Sequence, residues 1–339
     1  MSTFDFSTLS PDLMLDALFH YGFDVSSGLL QLNSFENRVC QFRDDDRKSW
    51  VVKFYRPERW SLEQLNEEHQ FVRELAEIEV PVAEAVERDG QQVLSFGGFY
   101  LSVFPSRGGR TLEPDNDDQM LQLGRFLGMV HQVGAARPFL HRPTINHQTF
   151  LLDSQQSLLQ SGLIPPSLEK DYQTMMQQLC DKVGPLYKPE KIRRVHGDCH
   201  IGNLLWHDDR PLLLDFDDSR NGPAVQDLWL LLNGDRLEQT YQLSILLEEY
   251  EQYCDFDHKE LRLIEPLRAM RILSYMAWIA KRWSDPAFPK NFPWFSTDQY
   301  WQQQLRALDE QLKFCDQSPL SLMPQWLSLI HISEPTRPY

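Results

Sequence analysis

Apolar residues change rhythm about a third of the way along the chain. Within the first hundred residues they come in short alternating runs, at 29–32, 38–42, 50–55, 93–96 and 99–104, which predict strands. A polar knot, Asp44-Asp45-Asp46-Arg47-Lys48, and the pair Gly97-Gly98 separate neighbouring runs and read as hairpin turns. Two helices interrupt this pattern. Ser10-Pro11-Asp12 supplies an N-cap hydroxyl, a proline at the first helical position and an acid in the first turn. At 61–76, Leu62, Leu65, Phe71, Val72 and Leu75 recur at helical spacing. After Pro105-Ser106-Arg107-Gly108-Gly109 helical periodicity takes over, at 117–133, 168–183, 224–232, 238–253, 259–283 and 297–314. Only two short apolar runs break it, at 204–206 and 212–216. The pattern predicts an α+β chain in two lobes. The first, 1–104, is a small antiparallel sheet with an inserted helix, and the second, 105–326, is larger and mainly helical. Residues 327–339 (LSLIHISEPTRPY) share no periodicity with the preceding helix and read as a disordered, non-native tail.

Charge and cysteine usage narrow the class. The chain has 339 residues, and its 33 Lys+Arg against 49 Asp+Glu give a formal charge of −16. This balance argues against a nucleic-acid partner. The 5 cysteines are scattered and form no CxxC pair, which fits a reducing cytoplasm better than a disulfide framework or a zinc ribbon. No basic-then-apolar leader opens the sequence. The most apolar late stretch, 261–283, carries Arg262, Glu265, Arg268, Arg271, Lys281 and Arg282, too many charges for a membrane span.

The chemistry concentrates in HGDCHIGN at 196–203 and LLLDFDD at 212–218. Asp198 and Asn203 are separated by the Asp-to-Asn interval of a kinase catalytic loop, and Asp215 follows at the end of an apolar strand, where a metal-binding Asp belongs. Phosphoryl transfer asks for such a set: a carboxylate beside the acceptor hydroxyl, and oxygen ligands that hold Mg²⁺ against the phosphates of ATP. Upstream, Lys53 lies within the third strand run and an acid-rich helix follows. In kinases a lysine so placed touches the phosphates and pairs with a helix glutamate. Glu68 shares a face with Phe71, Val72 and Leu75, so it is the expected partner, with Glu67 as the alternative.

With VVKFY at 51–55, these motifs resemble the aminoglycoside phosphotransferase and choline kinase group of protein-kinase-like enzymes. NSFENRV at 33–39, VKFYRPERW at 52–60, NGPAVQD at 221–227 and DPAFPKNFPW at 285–294 bring the resemblance closer to its bacterial Ser/Thr protein kinases, over about residues 4–325. The resemblance implies a monomeric cytoplasmic enzyme that uses ATP and Mg²⁺ and phosphorylates protein Ser/Thr. Asp198 would be the proton acceptor, Asn203 and Asp215 the metal ligands, and Lys53 the phosphate contact. Ser34 would lie over the nucleotide, and residues 101–105 would form the hinge. Asp227 would support the catalytic loop, through His196 in the simplest version. Two departures stand out. The loop carrying Ser34 has no glycine, so a glycine-rich phosphate cradle is missing, and Asp217 replaces the glycine of the kinase DFG triplet. The short run from Asp215 to Asp227 also leaves no room for a phosphorylation-ordered activation segment.

Other readings compete. A kinase of a small alcohol, sugar or aminoglycoside would use the same residues, and a non-catalytic nucleotide-binding protein would keep the fold. His196, Asp198 and His200 alternate as metal ligands on a strand would. Cys199 lies among histidines as a thiol nucleophile could, although such pairs are spatial rather than sequential.

Overall fold

The computed structural model describes residues 6–322, so the predicted non-native tail, 327–339, lies outside the described residues. Helix α1 (Pro11–His20) starts as its cap signals require, with Ser10 Oγ accepting from Leu13 N–H at 3.1 Å. Strands β1 (Leu30–Gln31), β2 (Arg38–Arg43), β3 (Ser49–Phe54), β4 (Leu94–Phe96) and β5 (Phe99–Pro105) form an antiparallel sheet in the order β1-β2-β3-β5-β4. Cys40, Phe42, Val52, Phe54, Leu101 and Val103 pack with Ala17, Leu18 and Phe23 into one core. Between β3 and β4, α2 (Leu62–Glu77) opens with a capping box made by Ser61 and Gln64. Its Phe71, Val72 and Leu75 join the core of the second lobe, so this helix ties the two halves together.

The second lobe continues with β6 (Arg110–Thr111), α3 (Asp117–Ala136), α4 (Asp153–Gln160), α5 (Glu169–Leu186), β7 (Arg193–Val195), β8 (Leu204–His207), β9 (Arg210–Leu213) and β10 (Arg220–Gly222). It closes with α6 (Gln226–Trp229), α7 (Arg236–Tyr250), α8 (Ile264–Lys281), α9 (Ala287–Asn291) and α10 (Asp298–Phe314). Strands β6, β8 and β9 make a small sheet, and β10 pairs with β7. Helix α3 lies against α7 and β7 because glycines line its contact face. A Cβ on Gly124 would fall 2.0 Å from the Leu246 carbonyl oxygen, and one on Gly134 would fall 2.1 Å from that of Arg194. This approach fixes β7, from which the catalytic motif departs.

Some boundaries differ from the periodicity. The long helix expected at 259–283 is a 3-10 turn (His258–Leu263) followed by α8, since Pro266 lacks an N–H and fits only a first helical turn. The helix expected at 224–232 keeps four residues as α6. The run at 212–216 stops pairing at Leu213, because Asp215 adopts a left-handed backbone with φ +58°. Among the described residues no helix is long and apolar enough to cross a membrane.

Among the described residues three histidines are buried, and burial holds two of them, His69 and His131, neutral. His69 on α2 meets the Tyr55 hydroxyl at 2.7 Å, and burial pushes its imidazole down to about 3. His131 is likewise lowered, chiefly by burial. A histidine held neutral in the fold and free to protonate when unfolded contributes stability above its unfolded pKa, and that stability is lost as pH falls from about 6.5. Melting temperature should therefore drop between pH 6.5 and 5, and His69→Gln should flatten that slope while lowering stability at neutral pH. An unchanged slope in thermal melts of the variant would acquit His69.

Candidate active site

Strand β7 ends at Val195, and the next residues turn into a cavity of about 1050 Å³ between the lobes. Gly197 allows the turn: its φ is +87°, and a Cβ there would lie 2.2 Å from the Asp218 carbonyl oxygen. Asp227, fully buried, accepts from the N–H groups of His196 at 2.7 Å and Gly197 at 2.8 Å. It also meets His131 Nε2 at 2.9 Å, so that nitrogen carries the hydrogen and Nδ1 accepts from the Tyr250 hydroxyl at 2.8 Å. The expected support by Asp227 is present, but it runs through two backbone amides and not through the His196 ring. That imidazole instead meets the Leu214 carbonyl oxygen at 2.8 Å, which ties the catalytic loop to the residue before Asp215.

Asp198, Asn203 and Asp215 all line the cavity. A 3-10 turn (Ile201–Asn203) brings Asn203 back so that its Nδ2 donates to the Asp198 carbonyl oxygen at 2.9 Å. Leu214 N–H in turn donates to the Asn203 carbonyl oxygen at 2.9 Å. Asn203 is thereby oriented with its amide nitrogen engaged and its Oδ1 left for another partner. The left-handed backbone at Asp215 turns its carboxylate, 52% exposed, toward the same space. One amide oxygen and one carboxylate suit a hard cation that takes its remaining ligands from water and phosphate. Among the described residues no group of three His, Cys, Asp or Glu side chains forms a metal cage. His196 is fully buried, with Nε2 on the Leu214 carbonyl oxygen and Nδ1 accepting from the Asp198 N–H at 3.3 Å, so both ring nitrogens are engaged and the alternating His-Asp-His reading has no geometry behind it. Cys199 is buried and burial pushes its thiol well up, the reverse of an activated nucleophile.

From the first lobe come Ser34 and Lys53, both lining the cavity. Lys53 pairs with Asp215 at 2.7 Å and with Asp217 at 3.5 Å. Burial works against its ammonium, but the two carboxylates outweigh burial and hold its pKa well above the ordinary value. The expected Lys53–Glu68 pair is not formed. Glu68 is buried on the predicted face of α2 but binds Arg142 at 2.7 Å, while Glu67 accepts from the N–H groups of Leu140, His141 and Arg142. The segment 140–142 therefore takes both glutamates and leaves the lysine to the two aspartates. Of the expected hinge, 101–105, Phe104 and Pro105 line the cavity together with Ser106 and Arg107, while Leu101 and Val103 stay in the core.

Position 217, glycine in the kinase triplet, carries the residue that clasps the site. Buried Asp217 is held by Arg59 and by Asn37 Nδ2 at 3.2 Å, and Asp218 binds Arg59 at 2.9 Å and Arg220 at 2.7 Å. The glycine-free loop is pinned as well. Glu36 binds Arg56 at 3.1 Å and Arg282 at 2.9 Å and accepts from Trp278 Nε1, while Phe35 packs on Phe292 with ring centroids 4.8 Å apart. Bonds from Glu36 to Trp278 on α8, to Arg282 just after it and to Arg56 thus hold this glycine-free loop in place. Asn37, Arg59 and Trp278 received no role from the sequence. The first two lie inside the segments 33–39 and 52–60 that carried the family resemblance, which is the only signal that could have found them.

Asp198 lies between an arginine and a histidine. Arg271 Nη1 donates to its Oδ1 at 2.6 Å, and His200 Nε2 lies 3.4 Å from Oδ2. Burial pushes this carboxyl up, but the His200 contact and the Arg271 charge outweigh it, so the group sits below the usual carboxylate range. It is ionised at neutral pH.

A two-lobed, protein-kinase-like fold with these residues around one cavity defines a phosphotransferase. The chain belongs to the phosphotransferase enzyme family, which residues 28–264 match, and it is a kinase. It is 50% identical over 326 residues to stress response kinase A of Escherichia coli (strain K12), covering 96% of this chain and 99% of that one. It is 49% identical over 326 residues to the serine/threonine protein kinase RdoA of Salmonella typhimurium, with the same coverage. Solved structures share the fold at low identity. The amicoumacin kinase hAmiN, in complex with AMP-PNP, Ca²⁺ and Ami, superposes with TM-score 0.70 at 18% identity over 95% of this chain and 98% of that one. Choline kinase LicA from Streptococcus pneumoniae gives 0.60 at 14% identity over 89% and 98%.

Proposed function

We propose that this kinase transfers the γ-phosphoryl group of ATP to Ser or Thr hydroxyls of protein substrates, with Mg²⁺, as a monomer in the cytoplasm. The observation that carries the reading is the convergence of Asp198, Asn203, Asp215 and Lys53 on one cavity. The Ser/Thr assignment is supported by the name of the Salmonella relative, a serine/threonine protein kinase, and by the stress response kinase that matches nearly the whole chain.

In this reading the Asp198 carboxylate, ionised at neutral pH, accepts the hydrogen of the attacking hydroxyl as the bond to phosphorus forms. Asn203 Oδ1 and Asp215 would hold the magnesium ion, which when bound neutralises charge on the phosphates. The Lys53 ammonium contacts a phosphate oxygen on exchanging one aspartate for it. Ser34, on the loop latched to α8, closes over the nucleotide, and Glu68 serves at one remove by anchoring α2 through Arg142.

Purified enzyme with labelled Mg-ATP should phosphorylate a generic protein substrate on Ser/Thr, with slow autophosphorylation. Asn203→Ala should lose activity, and millimolar Mg²⁺ should restore part of it if metal affinity is what was lost. Turnover of kanamycin, choline or homoserine with proteins left unlabelled would replace the protein-kinase reading with a small-molecule one. A variant indifferent to Mg²⁺ concentration would remove Asn203 from the ligand set.

A further inference from the structure

The wall of the cavity formed by α8 carries Arg271, Ser274, Tyr275, Trp278 and Lys281, spaced by three or four residues along one helical face. The other carboxylates around the cavity are each engaged by cations: Glu36 by Arg56 and Arg282, Glu68 by Arg142, Asp215 by Lys53, Asp217 by Arg59, and Asp218 by Arg59 and Arg220. Arg271 is different. Its partner in the structure is Asp198 itself, and its side chain is 41% exposed to the cavity.

An acceptor hydroxyl that approaches Asp198 must therefore come within reach of the Arg271 guanidinium. A planar fork of five N–H donors that spends one on a single carboxylate oxygen has donors left for another anion. A cationic group at that point would face like charge, whereas a carboxylate or phosphate would gain a charge-assisted pair. We infer that Arg271 selects acceptors bearing an anionic group beside the reacting hydroxyl, which on a protein substrate is an Asp or Glu adjacent to the target Ser or Thr. This rests on the protein-kinase reading and specifies its substrate class. Lys281 lies ten residues further along α8, about 15 Å by helical rise, a distance spanned by four to five residues of extended peptide. It extends the same preference to a second acid at that interval.

The test uses the full-length enzyme with Mg-ATP and matched peptides that differ only beside the serine, as Asp, Asn or Lys. A hydroxy acid and its neutral amide form a second pair. For wild type, kcat/KM should favour the Asp peptide over the Asn peptide by roughly tenfold, mainly through KM, with the Lys peptide lowest. R271Q should bring that ratio near one, and R271K should retain part of it. The ratio is taken within each variant, so any effect of the substitution on Asp198 chemistry cancels. A wild-type ratio of one or below, or a ratio that survives in R271Q, overturns the inference. If no peptide is labelled but the hydroxy acid outruns its amide in an Arg271-dependent way, the protein-acceptor reading falls and the anion preference stands. Failure to discriminate within either pair removes Arg271 from the role.

Discussion

Replacing Asp198 with Asn should lower turnover by roughly two to four decades, the usual contribution of a positioned acid–base group, while fold and nucleotide affinity persist. The substitution keeps shape and an oxygen acceptor for Arg271, so the 2.6 Å contact that orients the side chain can survive. What it removes is basicity, because an amide cannot take the hydroxyl hydrogen as the bond to phosphorus forms. Turnover with labelled ATP, with calorimetric nucleotide titration as control, separates the two effects. Near-wild-type phosphotransfer by Asp198→Asn would exclude it as the proton acceptor.

The second large effect is expected from a residue outside the cavity. Asp227→Ala strips the acceptor from the N–H groups of His196 and Gly197 and from His131, and both histidines are fully buried. Unsatisfied buried donors cost about 1–3 kcal/mol each. Stability should fall by several kcal/mol, lowering the melting temperature by on the order of ten degrees. Turnover should collapse even below the melt, because His196 and Gly197 begin the turn that delivers Asp198. A variant that melts and turns over like wild type would show that α3 packing alone holds the loop.

The uneven legibility of this site in the sequence has a physical cause. Asp198, Asn203 and Asp215 were readable because the backbone that unites them is local: one turn, one hairpin and the bond from Leu214 to Asn203. Lys53 was readable from its place within an apolar strand. The clasp was not. Asn37 and Arg59 meet Asp217 across 180 and 158 residues of chain, and no local pattern encodes such a meeting. Glu68 shows the intermediate case. Helical spacing placed it on the inward face, but its partner Arg142 comes from a loop after α3, so the face was legible and the bond was not. Among the elements, the strands of the main sheet lie where the short apolar runs predicted them. β7 and β10, three residues each, are too short to show a period, and polar α4 (DSQQSLLQ) shows almost no apolar stripe.

The short stretch between Asp215 and Asp227 has a consequence for how such an enzyme can be governed. Many kinases are completed only when a signal arrives, by a phosphate added to a long mobile segment that follows the metal-binding aspartate. Here that stretch is spent on a 3-10 turn, a strand paired with β7 and the start of α6, and its single hydroxyl, Ser219, has no exposed surface. A modifying enzyme would find no handle there, and the bonds that shape the loop are the same ones that hold the lobe together. The turn that delivers Asp198 is shaped by the fold itself, through Asp227 and the Leu214 carbonyl oxygen, and not by a phosphate added to that stretch.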